Sequence, residues 1–212
     1  MDKFLKRIDW RMVSSIPDFP NDFFALNLDL PWDIEKLCQN PGMSSDNLMI
    51  LAKRMKESCP ENIYNTCFEK LSTNPNLRLS DVISNPHLEW NWRSISSRED
   101  LQLSFVKRHL DYPWNWNMIS ANKNMTWEMV VENPDLPWCW FWLSDNPNIT
   151  RDIIEENIHR PWDFSFLSWN QSITFDTVYG SLDKEWNWEI LSRNAGFVNS
   201  LLKKIDKDES HV

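Results

Sequence analysis

The sequence predicts an all-α protein, a solenoid of tandem 24-residue repeats that each contain two short helices. Three observations lead to this prediction. Five tryptophans recur at intervals of 24 residues: Trp90, Trp114, Trp138, Trp162 and Trp186. Apolar residues follow each of them at fixed distances, and helix-capping residues recur with the same period. A fixed period over this many positions is typical of a repeat array, in which neighbouring units bury a continuous core.

Each repeat shows one pattern when its first tryptophan is numbered as position zero. In the repeat that begins at Trp114, position two is Trp116, position five Ile119, position six Ser120 and position eight Asn122. Units begin near residues 32, 66, 90, 114, 138, 162 and 186, with about ten extra residues within 43–65. The pattern predicts a divergent capping repeat at 1–31, the array at 32–196, and a C-terminal helix with a polar tail at 197–212.

The first helix of each repeat is predicted to begin at the proline before position zero, as at Pro113 and Pro137. Proline suits the first helical turn, because the N–H that it lacks would have no partner there. The helix is expected to end near the asparagine of position eight. Asparagine tolerates the left-handed conformation at a helix end, and its side chain can bond loop backbone.

The second helix is predicted to begin at position twelve, where Ser44, Thr126, Thr150 and Thr174 offer hydroxyl groups as N-caps. Apolar residues at positions thirteen, sixteen, seventeen and twenty have the spacing of one helical face. A leucine-rich-repeat-like α/β solenoid is the alternative fold, because its period and its asparagine pattern overlap with those of this chain. The proline-first helices and the helical spacing favour helix pairs.

Three segments carry a family resemblance: PWNWNMISAN at Pro113–Asn122, PWCWFWLSDNPNIT at Pro137–Thr150 and PWDFSFLSWN at Pro161–Asn170. They resemble the PWxWxxLSxN tandem repeats of uncharacterised proteins from giant DNA viruses of amoebae, of the mimivirus and marseillevirus type. The resemblance covers roughly residues 30–196 and departs from the pattern at Thr66, Glu89 and Glu185. It implies a viral source and a repeat fold, and it implies no activity.

Composition and motifs argue against several classes of function. The net charge of −9 disfavours contact with nucleic acid or an anionic membrane, because both need a basic surface. Three glycines and the lack of HExxH, GxSxG and P-loop motifs indicate that the protein is not an enzyme. The histidines are His87, His109, His159 and His211. The spacing between Cys59 and Cys67 suits a zinc site poorly, so we expect no metal and no cofactor.

The sequence also predicts a location. The first residues lack the apolar stretch of a secretory signal, and the chain has no 18-residue apolar run. The four cysteines form no regular framework. We therefore expect a soluble protein of a reducing compartment, the host cytoplasm or the virion, and not a secreted one. The glycosylation sequons at Asn124, Asn148 and Asn170 fall at nearly the same point of the repeat, so a structural role explains them better.

Residues that break the pattern are the candidates for a binding site, because residues that recur in every repeat are expected to form the core. Position three is Phe141 in one repeat and polar or charged in the others. Position one of that repeat is Cys139, and position seven of the next is Trp169. These departures predict a partner-binding patch of Phe141, Trp142, Trp169 and Cys139. Alternatively, a neighbouring chain or an irregular loop covers these residues.

The function predicted from this patch is that of a non-enzymatic protein-interaction scaffold, viral in origin and acting in the infected host cell. Acidic surfaces around the patch would steer a basic protein partner towards it. Two alternatives remain open. The protein could be a carbohydrate-binding module that uses exposed tryptophans, or a virion building block that self-assembles as a homo-oligomer.

Overall fold

The structure of the protein is a computed structural model that describes residues 2–59 and 63–209. Short helices follow one another in a repeated arrangement, and no β-strand occurs in the described residues. The prediction of an all-α solenoid is confirmed, and the leucine-rich-repeat-like alternative is wrong. The chain divides into two compact units, an N-terminal unit of Met1–Arg98 and a C-terminal unit of Glu99–Val212.

Helices α1 to α8 belong to the N-terminal unit. Their bounds are Asp2–Leu5, Trp10–Val13, Asn21–Leu26, Ile34–Gln39, Ser45–Ser58, Tyr64–Thr73, Leu79–Ser84 and Trp92–Ser96. The first helix of one repeat packs on the first helix of the next, as α4 on α6 and α6 on α8, and α3 packs on α5 in the second layer. Helices this short are unstable alone in water, so the stacking of repeats stabilises them.

Helices α9 to α17 belong to the C-terminal unit. Their bounds are Leu103–Arg108, Trp116–Ala121, Trp127–Glu132, Trp140–Ser144, Arg151–Glu156, Phe164–Leu167, Phe175–Tyr179, Trp188–Leu191 and Ala195–Glu209. The same two layers recur, with α10 on α12, α12 on α14, and α15 on α17. The last helix is longer than the sequence indicates. Its final described residue is Glu209, and the rest of the predicted polar tail, with His211, lies outside the described residues.

The first helix of the repeat begins three residues later than predicted, at position two instead of position minus one. In the repeats that have Asp or Asn at position one, this residue is the N-cap, and its side-chain oxygen accepts a hydrogen bond from the backbone N–H at position four. Asn115 accepts from Met118 at 3.1 Å, and Asp163 accepts from Phe166 at 2.7 Å. The proline at position minus one therefore lies outside the helix, and the prediction that it occupies the first turn is wrong.

The proline has a different role, in the turn that leads into the helix. The backbone N–H of position zero donates to the carbonyl of position minus two, from Trp114 to Tyr112 at 2.8 Å and from Trp138 to Leu136 at 2.8 Å. This bond closes a three-residue turn centred on Pro113 or Pro137. Such a turn needs a central φ close to the value that the proline ring imposes. The proline thus favours the backbone conformation that places the tryptophan in the core.

The second helix begins where the sequence predicts. Ser44, Thr126 and Thr174 cap it, each accepting a hydrogen bond from the backbone N–H three residues later, whereas Thr150 lies at the N-cap position without this bond. The apolar residues at position sixteen are buried: Leu48, Val82, Val106, Val130, Ile154 and Val178. So are the residues at position five: Leu37, Leu71, Ile95, Ile119, Leu143, Leu167 and Leu191. These two positions form the centre of the core.

The extra residues within 43–65 lengthen two helices. Helix α5 has 14 residues and α6 has 10, whereas each helix from α7 to α16 has four to six. Residues 60–62 lie outside the described residues. Helix α6 begins at Tyr64, two residues before Thr66 takes the place of the position-zero tryptophan. The insertion is therefore largely helical.

The capping repeat at the N-terminus is in register with the array. Asp9 caps α2 by accepting from the N–H groups of Arg11 and Met12 at 3.1 and 3.3 Å. It lies 24 residues before Asp33, which caps α4. Trp10 therefore occupies position two of this repeat, and the ring of Trp10 packs edge to face on Trp32 at 5.1 Å between centroids.

Candidate functional site

The tryptophan at position zero belongs to the core, as predicted. Each ring is buried, and each indole N–H donates to the carbonyl five residues earlier at 2.7–3.0 Å: Trp32 to Asn27, Trp90 to Asn85, Trp114 to His109, Trp138 to Asn133, Trp162 to Asn157 and Trp186 to Ser181. The only polar atom of each side chain is thereby occupied. These tryptophans hold the repeat together and do not form an exposed aromatic stripe.

The aromatic residue at position two packs edge to face on the position-zero tryptophan of the following repeat. In the C-terminal unit the ring centroids lie 5.6 Å apart for Trp116 and Trp138, and 5.0 Å apart for Trp140 and Trp162. These position-two rings are half-buried. Trp188 is the exception, since no position-zero tryptophan follows it in the array, and it is 55% exposed.

The recurring polar residues connect neighbouring repeats through what we call the polar ladder. The hydroxyl at position six accepts from the backbone N–H at position one of the next repeat: Ser72 from Asn91, Ser120 from Cys139, Ser144 from Asp163, and Ser168 from Asn187. The amide at position eight donates to carbonyls of the preceding repeat, as Asn146 does to Ser120 and Asn122 at 2.8 and 3.1 Å. Recurring Ser and Asn residues therefore have structural roles.

The asparagines of the ladder do not use the left-handed conformation. Asn122 has φ −69° and ψ 128°, and no non-glycine residue among those described has a positive φ. That part of the prediction is wrong, because the side chain satisfies the loop directly: Asn146 Oδ1 accepts from the Asn148 N–H at 2.9 Å. Asn148 in turn donates to the carbonyls of Lys123 and Met125. The sequon asparagines thus have structural partners.

Arg98 replaces the ladder asparagine in one repeat and is buried. Its guanidinium donates to three carbonyls of the N-terminal unit, those of Ser72 at 3.2 Å, Asn74 at 2.8 Å and Leu77 at 2.9 Å. A planar group with several fixed donors can take over the task of an amide. This departure from the pattern is therefore structural.

The structure brings two of the predicted site residues together with a third aromatic residue. Phe141 and Trp142 lie on α12, with their rings 5.3 Å apart. Phe141 stacks on Phe166 of α14 at 4.0 Å with an interplanar angle of 20°, and Trp142 meets Phe166 edge-on at 6.0 Å. Phe141 remains 40% exposed, and the other two rings are half-buried. We call Phe141, Trp142 and Phe166 the aromatic cluster.

Trp169 and Cys139 stand apart from the rings of this cluster. Trp169 follows α14, is 53% exposed, and donates its backbone N–H to the Phe166 carbonyl at 3.0 Å. Cys139 is the N-cap residue of α12, and its thiol makes no capping bond. Its backbone N–H donates to the Ser120 hydroxyl at 2.9 Å, as position one does in other repeats. Cys139 therefore departs from the pattern at a structural position.

Phe166 was not predicted, although the sequence contains a signal for it. Position four is Lys36, Lys70 and Ser94 in the N-terminal unit. In the C-terminal unit it is Met118, Trp142, Phe166 and Ile190, all half-buried. Equivalent positions of stacked repeats are neighbours. An apolar stripe at position four, in one half of the chain, therefore marks the surface that carries the aromatic cluster.

The charge of the chain is concentrated in the same unit. Residues 99–212 carry 18 acidic and 10 basic side chains, so eight of the nine net negative charges lie in the C-terminal unit. One of the acids, Asp145, is the C-cap of α12, the helix that carries Phe141 and Trp142. Partial burial raises the pKa of Asp145 above its usual value. The electrostatic environment of the unit favours cations.

A separate pocket of about 140 Å³ lies in the C-terminal unit. Its lining includes Trp127, Trp138 and Trp140 together with Arg160. The Nε atom of Arg160 is buried and has no hydrogen-bond partner among the described residues. The pocket therefore combines ring surfaces with the side chain of Arg160.

His109 has structural surroundings. The ring of His109 packs on Phe105 at 4.7 Å, and its carbonyl accepts from Trp114. Within 2–59 and 63–209, no group of three or more His, Cys, Asp or Glu side chains is placed to hold a metal ion. None of the described helices is both long and apolar enough to cross a membrane. Comparison of the chain with protein-family models, curated proteins and solved structures gave no match.

Proposed function

We propose that the protein is a non-enzymatic interaction scaffold whose C-terminal unit binds a protein partner at the aromatic cluster. The observation that carries this proposal is the stack of Phe141 on Phe166, which leaves Phe141 40% exposed. Stacking fixes the ring, so little side-chain entropy is lost when a partner covers it. Rigid, partly exposed aromatic residues are the usual anchors of protein interfaces.

The partner is expected to be basic. The C-terminal unit has a net charge of −8, which attracts a cationic protein and raises its association rate at low ionic strength. The exposed ring of Trp169 also offers a face on which an Arg or Lys side chain can bind. On the resemblance to viral repeat proteins alone, we extend the proposal to a partner inside an infected host cell.

The test is affinity capture from lysate of the source cells with quantitative mass spectrometry. The baits are the wild type, the double variant Phe141→Ser/Trp169→Ser, and a control, Leu110→Ser/Leu182→Ser. The control removes two exposed apolar side chains of the same unit that belong neither to the cluster nor to the patch predicted from the sequence. We expect the wild type and the control to capture specific proteins that the Phe141→Ser/Trp169→Ser variant does not capture. Raised salt should elute these proteins from the wild-type bait. Equal capture by all three baits would exclude this binding surface.

Carbohydrate binding is the second candidate, because Trp127, Trp138, Trp140 and Arg160 line one pocket, and Arg160 Nε has no hydrogen-bond partner among the described residues. A sugar could stack on the rings and offer a hydroxyl oxygen to the Arg160 guanidinium. Titration with oligosaccharides should then change the tryptophan fluorescence of the wild type and of Trp169→Ala, but not of Arg160→Leu. A change that requires Trp169 instead would place the sugar on the exposed ring.

Self-assembly is the third candidate, and the exposed ring of Trp188 favours it. Each position-two ring that packs on the position-zero tryptophan of a following repeat is more buried than Trp188. The ring of Trp188 has no such tryptophan to pack on and leaves this face exposed. A second copy could cover it. Sedimentation equilibrium should then show a mass that rises with concentration for the wild type and not for Trp188→Ser. A concentration-independent monomer would exclude this candidate.

A further inference from the structure

Three cysteine side chains meet in the N-terminal unit, where the insertion lengthens α5 and α6. Cys59 is the C-cap of α5, Cys67 lies in the first half of α6, and Cys38 lies on α4. The Sγ atoms of Cys59 and Cys67 are 3.5 Å apart, and Cys38 donates to Met55 Sδ at 4.0 Å. Cys38 and Cys67 are buried, whereas Cys59 is partly exposed. We call these three residues the thiol cluster.

The repeat itself explains why the thiols meet. Position one of a repeat lies against position six of the preceding repeat, as the bond from the Asn91 N–H to Ser72 Oγ shows. Cys38 occupies position six and Cys67 position one of the following repeat, so the stacking places them side by side. The insertion between the two repeats then adds Cys59 from the end of α5.

Hydrogen bonds within the cluster favour one thiolate. The bond from Cys38, supported by the bond from Cys59, lowers the pKa of Cys67 to about 7, although burial opposes this. Burial and the bond to Cys67 raise the pKa of Cys59 to about 12, and the bond to Cys67 together with burial raises the pKa of Cys38. At neutral pH about half of Cys67 is therefore the thiolate, and the Cys59 thiol donates a hydrogen bond to it.

We propose that Cys59 and Cys67 are a redox-active pair, which a peroxide converts to a disulfide that joins α5 to α6. The geometry supports this pairing. A disulfide needs the two sulfurs about 2.05 Å apart, so Cys59 has to move by only about 1.5 Å. Cys59 lies at a helix end and is partly exposed, which allows both this movement and the entry of a small oxidant. The proposal is independent of the interaction scaffold.

The chemistry takes two steps. Cys67 Sγ, as the thiolate, attacks one oxygen of the peroxide; the O–O bond breaks, and the departing hydroxide takes the proton of the Cys59 thiol and leaves as water. Cys67 is then a sulfenic acid and Cys59 a thiolate. In the second step Cys59 Sγ attacks the Cys67 sulfur, the S–S bond forms, and the hydroxide that leaves takes a proton from solvent and becomes water. Two thiols are oxidised and one peroxide is reduced, and a thiol reductant reverses the change.

The test uses the full-length protein and hydrogen peroxide at pH 7. After quenching, the protein is denatured, its free thiols are alkylated, and it is digested without reduction for mass spectrometry. We expect the peptides of Cys59 and Cys67 to be joined with the loss of two hydrogen atoms, and dithiothreitol to separate them. Separate, alkylated Cys59 and Cys67 at peroxide doses that oxidise Cys139 would overturn the proposal, and so would a bond between Cys38 and Cys67.

Variants and pH supply a second measurement. Cys59→Ser replaces a partly exposed residue and should form no internal disulfide, whereas the control Cys139→Ser should behave like the wild type. The rate of disulfide formation in the wild type should reach half its maximum near pH 7, since the Cys67 thiolate is required. At pH 7 the disulfide should form a few-fold faster than in a pair of ordinary thiols, because the larger thiolate fraction outweighs the lower nucleophilicity of a thiolate with a lowered pKa. A rate that rises only above pH 8.5 would contradict the role of this thiolate.

Discussion

Asn146→Ala tests whether the polar ladder stabilises the C-terminal unit. The Asn146 side chain is buried and makes three hydrogen bonds: it donates to the carbonyls of Ser120 and Asn122 and accepts from the Asn148 N–H. Alanine removes all three. The Asn122 carbonyl keeps a second bond, from the Met125 N–H at 2.9 Å. The substitution therefore leaves two backbone groups, the Ser120 carbonyl and the Asn148 N–H, without these partners.

The magnitude follows from these two groups. A buried polar group that loses its partner costs about 1–3 kcal/mol, so we expect a loss of about 3–4 kcal/mol in the free energy of unfolding. Domains are usually stable by about 5–15 kcal/mol, so the variant should still fold. For a chain of this length the loss corresponds to a fall in Tm of about 10 °C.

The assay is urea denaturation followed by circular dichroism and by tryptophan fluorescence. Asn117→Ala is the matched control, because Asn117 is exposed on α10 and should change stability by no more than about 0.5 kcal/mol. Asn146→Asp keeps an acceptor for the Asn148 N–H but has no N–H for the two carbonyls, so it should lose at least as much as alanine. If Asn146→Ala and Asn117→Ala have equal stability, the ladder does not stabilise the unit.

Three further predictions concern other contacts of the repeat. Arg98→Ala leaves the Ser72 and Leu77 carbonyls without this donor, whereas the Asn74 carbonyl keeps the bond from the Leu77 N–H at 3.1 Å; it should lower the free energy of unfolding by about 3 kcal/mol, and Arg98→Asn by less, as urea denaturation can compare. Trp138→Phe keeps most of the ring but removes the bond to the Asn133 carbonyl, and should cost about 1–2 kcal/mol in the same assay, against about 3–5 for Trp138→Ala. Burial raises the pKa of Glu155, but the hydrogen bond from Arg151 and one from a nearby hydroxyl lower it by more, to a value below the usual 4.5. Its stabilisation is thus present above pH 4.5 and lost as the pH falls below it, so Glu155→Gln should make Tm less dependent on pH between about pH 5 and 3; an unchanged dependence would contradict this.

The helix pairs and their core were predictable because a solenoid buries the same positions in every repeat. Ile119 and Val130 repeat at 24-residue intervals as apolar residues, and each is buried. The hydroxyl caps were predictable for a similar reason: Thr126 stands just before an apolar helical face, where an N-cap is expected. Repetition thus turns a weak local preference into a pattern that one can recognise without the structure.

The start of the first helix was not predictable from the same rules, because two signals compete there. Proline is common in the first turn of helices, which favours a helix start at Pro113. Asn115 is also a good N-cap, and it lies two residues later. Which of the two signals sets the helix start depends on Trp114, because its ring enters the core only if the backbone at position zero is not yet helical. That requirement is a property of the packing between repeats.

The aromatic cluster was predictable only in part, for a geometric reason. A comparison of position three across the repeats identifies Phe141, because the other repeats have polar or charged residues there. Its stacking partner Phe166 stands at position four of the next repeat, and such a comparison does not connect two different positions. Contacts across stacked helices join neighbouring positions as well as equal ones. A search for apolar residues at adjacent positions of consecutive repeats would have found the pair.

The separation of core and cluster has a consequence for the proposed scaffold. The rings of positions zero and two fill the space between repeats, and the polar ladder supplies hydrogen-bond partners to the loop backbone. Neither the core packing nor the ladder depends on Phe141 or Trp169. Both side chains are about half exposed, and burying them contributes correspondingly little to folding. Their replacement by serine should change stability by about 1 kcal/mol or less each. A loss of partner binding in a variant with a nearly unchanged Tm would therefore report on the surface itself, whereas Leu143→Ala should lower Tm and binding together.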